Sequence, residues 1–155
     1  MTPAPTINED DLSGAEVQAL VAYHLAEMHK NSPAESVHAL PADKLRDPEV
    51  TFWSAWVNGE LAAMGAMKQL DATHGELKSM RAAPRWRGKG LGEAMLLHLI
   101  GEARARGYAQ LSLETGSGGP FEPALGLYRK HGFTDCGPFA HYSNDPFSTF
   151  VTLAL

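Results

Sequence analysis

Residues 85–92 read Arg-Trp-Arg-Gly-Lys-Gly-Leu-Gly, three glycines and three cations in eight positions between two apolar runs. A tight turn needs one glycine. Three of them lead into the helical pattern "LGEAMLLHLIGEARARG". At such a helix start the first N–H groups lack intrahelical partners, and the dipole places partial positive charge there. Glycine lets these amides approach an anion that a side chain would hold off, and Arg85, Arg87 and Lys89 add charge-assisted contacts. The expected ligand carries phosphates. The formal net charge of −5 lacks the basic surplus of a nucleic-acid binder, so the cluster of Arg81, Arg85, Arg87 and Lys89 reads as a local device.

The rest of the pattern frames this loop. "PTINEDD" fits a short first strand, and "DLSGAEVQALVAYHLAEMHKNS" an amphipathic helix with Val17, Leu20, Val21, His24, Leu25 and Met28 on one face. Prolines break residues 32–49 into loop and short helical pieces. Two apolar runs around Asn58-Gly59 predict a hairpin, because that dipeptide tolerates left-handed backbone. "GELKSMRAA" ends at Pro84; after the glycine-rich loop and helix come a strand at "YAQLSLETG", a helix at "FEPALGLYRKHG" and a last strand at "FSTFVTLAL". The 155 residues fit one α/β domain over 1–155, with a strand–turn–helix–strand unit at its centre. One cysteine, Cys136, precludes an internal disulfide, and seven histidines without HxxxH or HExxH spacing argue against a metal site. Neither a signal peptide nor a membrane span is readable, so no membrane partner and a cytoplasmic location are expected.

Two phosphate motifs fail on single residues. A P-loop needs Ser or Thr after its lysine, where Gly90 follows Lys89; the dinucleotide fingerprint needs glycine where Glu93 stands. A third pattern fits. Arg85-x-x-Gly88-x-Gly90 resembles the pyrophosphate loop of the GNAT superfamily, the acyl-CoA-dependent N-acyltransferases, and "ALGLYRKHGF" (124–133) is similar to that superfamily's A-x-x-L-Y-x-x-x-G-F block. The two blocks, at compatible spacing, cover residues 75–133. The resemblance implies a mixed, mostly antiparallel central sheet with splayed fourth and fifth strands, flanked by helices. It also implies acetyl-CoA as cosubstrate, a small-molecule or peptide amine as acceptor, no nucleic acid, and a homodimer by analogy.

By the same resemblance, backbone groups of Met80 and Ala82 pair with the pantetheine arm. The amides of Gly88, Lys89, Gly90, Leu91 and Gly92, with Arg85 and Arg87, hold the pyrophosphate, and Tyr128 serves the leaving thiolate. Glu76 is the expected general base; strict alternation puts it on one face with Lys78, Met80 and Ala82, and Glu114 in "LETG" is the alternative carboxylate. Where many relatives carry an asparagine seven residues before the tyrosine, this chain has Phe121. Acceptor-side candidates are His24, Glu27, Glu35, His38 and Glu114, with Tyr142, Asn144 and Asp145 bordering the cleft. Two readings compete with an N-acetyltransferase: a non-catalytic acyl-CoA-binding regulatory module, and a nucleotide-binding domain of another fold.

Overall fold

Asn58 and Gly59 both take positive φ, 51° and 79°, and close a two-residue turn between β2 (Val50–Val57) and β3 (Glu60–Asp71). That hairpin supplies the second and third of seven strands in a computed structural model that describes residues 3–155. Strand β1 (Thr6–Glu9) pairs with β2, and β4 (His74–Ala82) with β3, all antiparallel. Helix α2 (Leu91–Ala105) then carries the chain back, so β5 (Gln110–Gly116) lies parallel to β4. After α3 (Glu122–Lys130), the short β6 (Thr134–Asp135) and β7 (Ser148–Ala154) complete a seven-stranded sheet ordered β1-β2-β3-β4-β5-β7-β6. Helix α1 (Ala15–Asn31) follows β1, and the proline-broken stretch holds two single 3₁₀ turns, Ala34–Ser36 and Lys44–Arg46. The mixed, mostly antiparallel α/β sheet expected from the sequence is the one observed. No helix among the described residues is long and apolar enough to cross a membrane.

Alternation along the strands feeds two cores. Trp53, Met67, Leu77 and Leu111 pack against Met95, Leu96 and Leu99 of α2, together with Leu125 and Tyr128 of α3. Phe52, Met64 and Ala66 enter the opposite core with Val17, Leu20 and Val21 of α1. Phe52 and Trp53 are sequence neighbours and part to opposite faces, as period-two geometry requires.

One expectation about faces is overturned. Lys78 lies opposite Ala66 and Arg81 opposite Met64, so Ser79 and Met80 together face the single residue Gly65. Ser79 takes a φ of 56°, and the extra residue makes a β-bulge. Beyond Lys78 the alternation is therefore reset. Met80 leaves the Glu76–Lys78 face and joins Met95 and Leu99 in crowding the space over Gly65. Arg81 turns toward α1, where its Nε–H donates to His24 Nδ1 at 2.9 Å.

At the far end of β5, the Phe121 ring lies so close over Gly116 that a β-carbon there would sit 2.3 Å from it. Gly116→Ala must displace that buried ring, and overpacking of this kind costs roughly 1–3 kcal/mol. The expected outcome in thermal denaturation is a melting temperature lower by several degrees.

Candidate active site

The parallel ladder between β4 and β5 runs from His74↔Gln110 to Leu77↔Leu113 and stops. Both strands continue, to Ala82 and Gly116, so their facing edges part. The gap opens into a cavity of about 750 Å³. Its walls include Met80, Ala82, Leu113, Glu114 and Tyr128, and its mouth is formed by Arg87, Gly88, Gly90, Leu91 and Gly92. Two buried donors without a protein partner, Ser79 Oγ and Trp86 Nε1, belong to residues that line it.

The loop explains its glycines. Gly88 and Gly90 take φ of 71° and 82°, conformations that L side chains rarely adopt, and Gly90 is the N-cap of α2 without any side-chain cap. A β-carbon at Gly88, Gly90 or Gly92 would meet nothing within 4 Å, so no protein atom crowds the loop on that side. Uncapped helical amides beside Arg87 are a fitting cradle for a diphosphate.

Two of the cations expected at the phosphate have neighbours of their own. The Arg85 guanidinium donates to both carboxylate oxygens of Glu60 at 2.8 Å, and it does not line the cavity. The exposed Lys89 ammonium lies 5.5 Å from the Trp86 ring centroid. Glu93, the acid in the first turn of α2, is tied to α3 by Lys130 at 2.7 Å and His131 at 2.8 Å, and these bonds hold its carboxyl below the usual range.

Tyr128 owes its position to how α3 ends. Gly132, at φ 97°, donates its N–H to Arg129 O, and Phe133 donates to Tyr128 O, the two bonds of a Schellman motif. That motif brings its third-from-last helical residue against the second residue beyond the cap. Here these are Tyr128 and Phe133, with ring centroids 5.7 Å apart. The Tyr-x-x-x-Gly-Phe spacing is thus a device that seats a phenol. Burial pushes its pKa up to about 12, against the opposing pull of Arg81, so the hydroxyl stays a proton donor.

The two candidate carboxylates differ in their surroundings. Glu76 is 1% exposed and does not line the cavity. Its Oε2 accepts from Tyr142 Oη at 2.5 Å and from Lys78 Nζ at 3.2 Å, while Lys78 also donates to Tyr142 Oη at 3.0 Å. The carboxylate that opens on the cavity is Glu114, which accepts from Ser148 Oγ at 2.8 Å and whose pKa is raised by burial above the carboxylate norm. Lys78, absent from the expected site, lines the cavity beside it.

The acceptor-side candidates divide. His24, Glu27 and His38 line the cavity, whereas Glu35 sits exposed on its 3₁₀ turn and does not, because Ser36 is the residue of that turn facing inward. Ser36 Oγ donates to Asp145 Oδ2 at 2.6 Å, so the segment before β2 is fastened to the segment before β7. Tyr142 stands edge-on to His38, centroids 5.0 Å apart. Asn144 shows no such tie. Phe121, in place of the expected asparagine, fills the wall over Gly116 with its ring.

Comparison with known proteins places this geometry among relatives. The profile of the acetyltransferase (GNAT) family matches residues 17–133. The uncharacterized N-acetyltransferase YsnE of Bacillus subtilis is 54% identical over 149 residues, 96% of this chain and 99% of that protein. The uncharacterized N-acetyltransferase YedL of Escherichia coli is 52% identical over 150 residues, 97% and 94% of the two chains. Among solved structures, a protein assigned as an acyl-CoA N-acyltransferase from Klebsiella pneumoniae superposes with a TM-score of 0.78 at 30% identity, covering 97% of each chain.

The His24–Arg81 contact has a pH signature. Burial, with the Arg81 charge second, lowers the His24 pKa from 6.5 to about 3, so the folded chain holds a neutral ring that accepts through Nδ1. Between those values the unfolded chain binds the extra proton, so this contribution is complete above pH 6.5 and is lost as pH falls toward 3. The melting temperature is therefore expected to drop between pH 7 and 5. His24→Gln, which keeps an acceptor but cannot titrate, should flatten that slope.

Proposed function

The chain belongs to the acetyltransferase (GNAT) family, and from that premise we propose that it moves an acetyl group from acetyl-CoA to a primary amine of a small molecule or peptide by direct attack. The observation that carries this reading is the β4–β5 ladder ending at Leu77 and Leu113 above an uncapped, glycine-lined helix start. A thioester presented in that gap supplies an activated acyl carbon. The amides of Gly88, Lys89, Gly90, Leu91 and Gly92, with the Arg87 side chain, hold the diphosphate. Free backbone groups of β4 around Met80 and Ala82 hold the extended arm and offer an N–H to the carbonyl oxygen, a contribution of a few kcal/mol in oxyanion sites.

An ammonium has no lone pair, so a base must act first. An ordinary carboxylate, with a pKa of about 4.3, is a poor match for an alkylammonium near 10. Glu114 is better suited than Glu76: it opens on the cavity and burial raises its pKa, whereas Glu76 is committed to Lys78 and Tyr142. Glu114 takes the ammonium proton and passes it to solvent, the neutral amine nitrogen bonds to the acyl carbon, the second nitrogen proton leaves by the same carboxylate, and the C–S bond breaks. Tyr128 meets the departing sulfur as a hydrogen-bond donor. Full proton transfer from a phenol at about 12 to a thiolate whose acid is near 8.5 runs roughly 5 kcal/mol uphill, so solvent completes the thiol.

Release of free thiol from acetyl-CoA over a panel of amines tests the reading; release no faster than hydrolysis with every amine would overturn it. Tyr128→Phe is expected to lower kcat by ten- to a hundredfold while calorimetric coenzyme A affinity stays within about twofold. Glu114→Gln should remove the acid limb of the kcat/KM profile, which in the parent enzyme lies above the ordinary carboxylate pKa.

A further inference from the structure

Arg81 is a partly buried cation without an ion-pair partner; the Glu27 carboxylate acts on it only from beyond contact distance. It lines the cavity from β4, partly buried, and no carboxylate of the described residues comes within 4.0 Å of its nitrogens. Of the other cations lining the cavity, Lys78 is paired with Glu76 and Lys130 with Glu93, while Arg87 stands beside the glycine loop and Lys30 is exposed near the end of α1. Burying a charge without a partner is unfavourable, and such a group is a standing site for an anion.

The guanidinium is also held still. Its Nε–H is spent on His24 Nδ1, and its carbon lies 5.8 Å from the Tyr23 ring centroid. Tyr23 is fixed in turn by donating to Glu27 at 3.2 Å. With Nε engaged, the two terminal nitrogens remain, and these form the fork that matches a carboxylate bidentately. The neutral His24 ring orients this fork without neutralising it.

We propose that the acceptor amine carries a carboxylate, which Arg81 binds through its terminal nitrogens while the amine lies toward Glu114. The inference rests on the acetyl-transfer reading and narrows its substrate to an amino acid or a similar amine bearing an acid. Opposite charges on the two ends of such a molecule meet opposite charges on the same cavity: a cation from β4 and a carboxylate from β5. An amine lacking the acid leaves the Arg81 fork unmatched, and sites built around a polar contact discriminate strongly against ligands that cannot make it.

The test uses the full chain with acetyl-CoA and the common amino acids, each compared with its own carboxamide, reading thiol release. The expected result for the best pair is a kcat/KM ratio of about a hundredfold or more in favour of the carboxylate. Arg81→Gln should bring that ratio close to one. Arg81→Lys, which keeps the charge without the fork, should leave a ratio of about tenfold. Melting curves and coenzyme A calorimetry on both variants report folding. A ratio near one in the parent enzyme, or turnover confined to amines without an acid, overturns the inference. So does an equal loss for both members of each pair in Arg81→Gln, which would assign the guanidinium to the leaving sulfur near Tyr128. A protein that binds coenzyme A and acetylates amines regardless of an acid overturns the inference alone; failure to bind coenzyme A overturns the transfer reading with it.

Discussion

Hydrogen bonding between β4 and β5 is the constraint from which the site follows. β4 stays laddered to β3 as far as Ala82, but its pairing with β5 ends at Leu77. Backbone N–H and C=O groups left without partners inside a protein cost about 1–3 kcal/mol each, so two strands can part within a sheet only where something else reaches their edges. A cavity between them is therefore a requirement of the topology. The bulge at Ser79 lies on β4 and the Phe121 ring packs over Gly116 of β5 beyond the point where the ladder ends, and the first residues of α2 line the same cavity.

Charge is distributed around that gap with unusual economy. Glu76, Lys78 and Tyr142 form a closed group in which each polar side chain touches the other two, leaving only one Glu76 oxygen unpartnered. Burial and the Glu76 carboxylate both raise the Tyr142 pKa, so its phenol remains protonated and Lys78 is anchored by two acceptors. Glu114 and Arg81, by contrast, are left with free valences toward the cavity. The chain neutralises the charges it needs for structure and leaves exposed the ones that can meet a ligand.

The sequence made the donor side of this arrangement legible. Gly88, Gly90 and Gly92 announce bare backbone at a helix start, and the Tyr-x-x-x-Gly-Phe spacing specifies a left-handed helix stop that seats Tyr128. Such signals are local and are carried by residues with few alternatives. The bulge at Ser79 gave no warning, since "LKSMRA" contains neither glycine nor proline, and it moved Met80 and Arg81 to faces that simple alternation denies them. Side-chain partners at long range were equally silent. Glu60 claims Arg85 from 25 positions away, and Tyr142 reaches Glu76 across 66, so which cation and which carboxylate remain free is decided only when the strands assemble.

The bulge and the ended ladder also divide how the groups of the cleft respond to sequence change. Groups offered by the peptide backbone cannot be erased by exchanging one side chain for another; proline alone removes an N–H, and a bulky residue at a bare position only blocks the approach. Other groups of the cleft are side chains, such as Arg81, His24 and Glu114, each replaceable by itself. In a cleft built this way the side chains can change while the peptide edge goes on presenting the same row of amides.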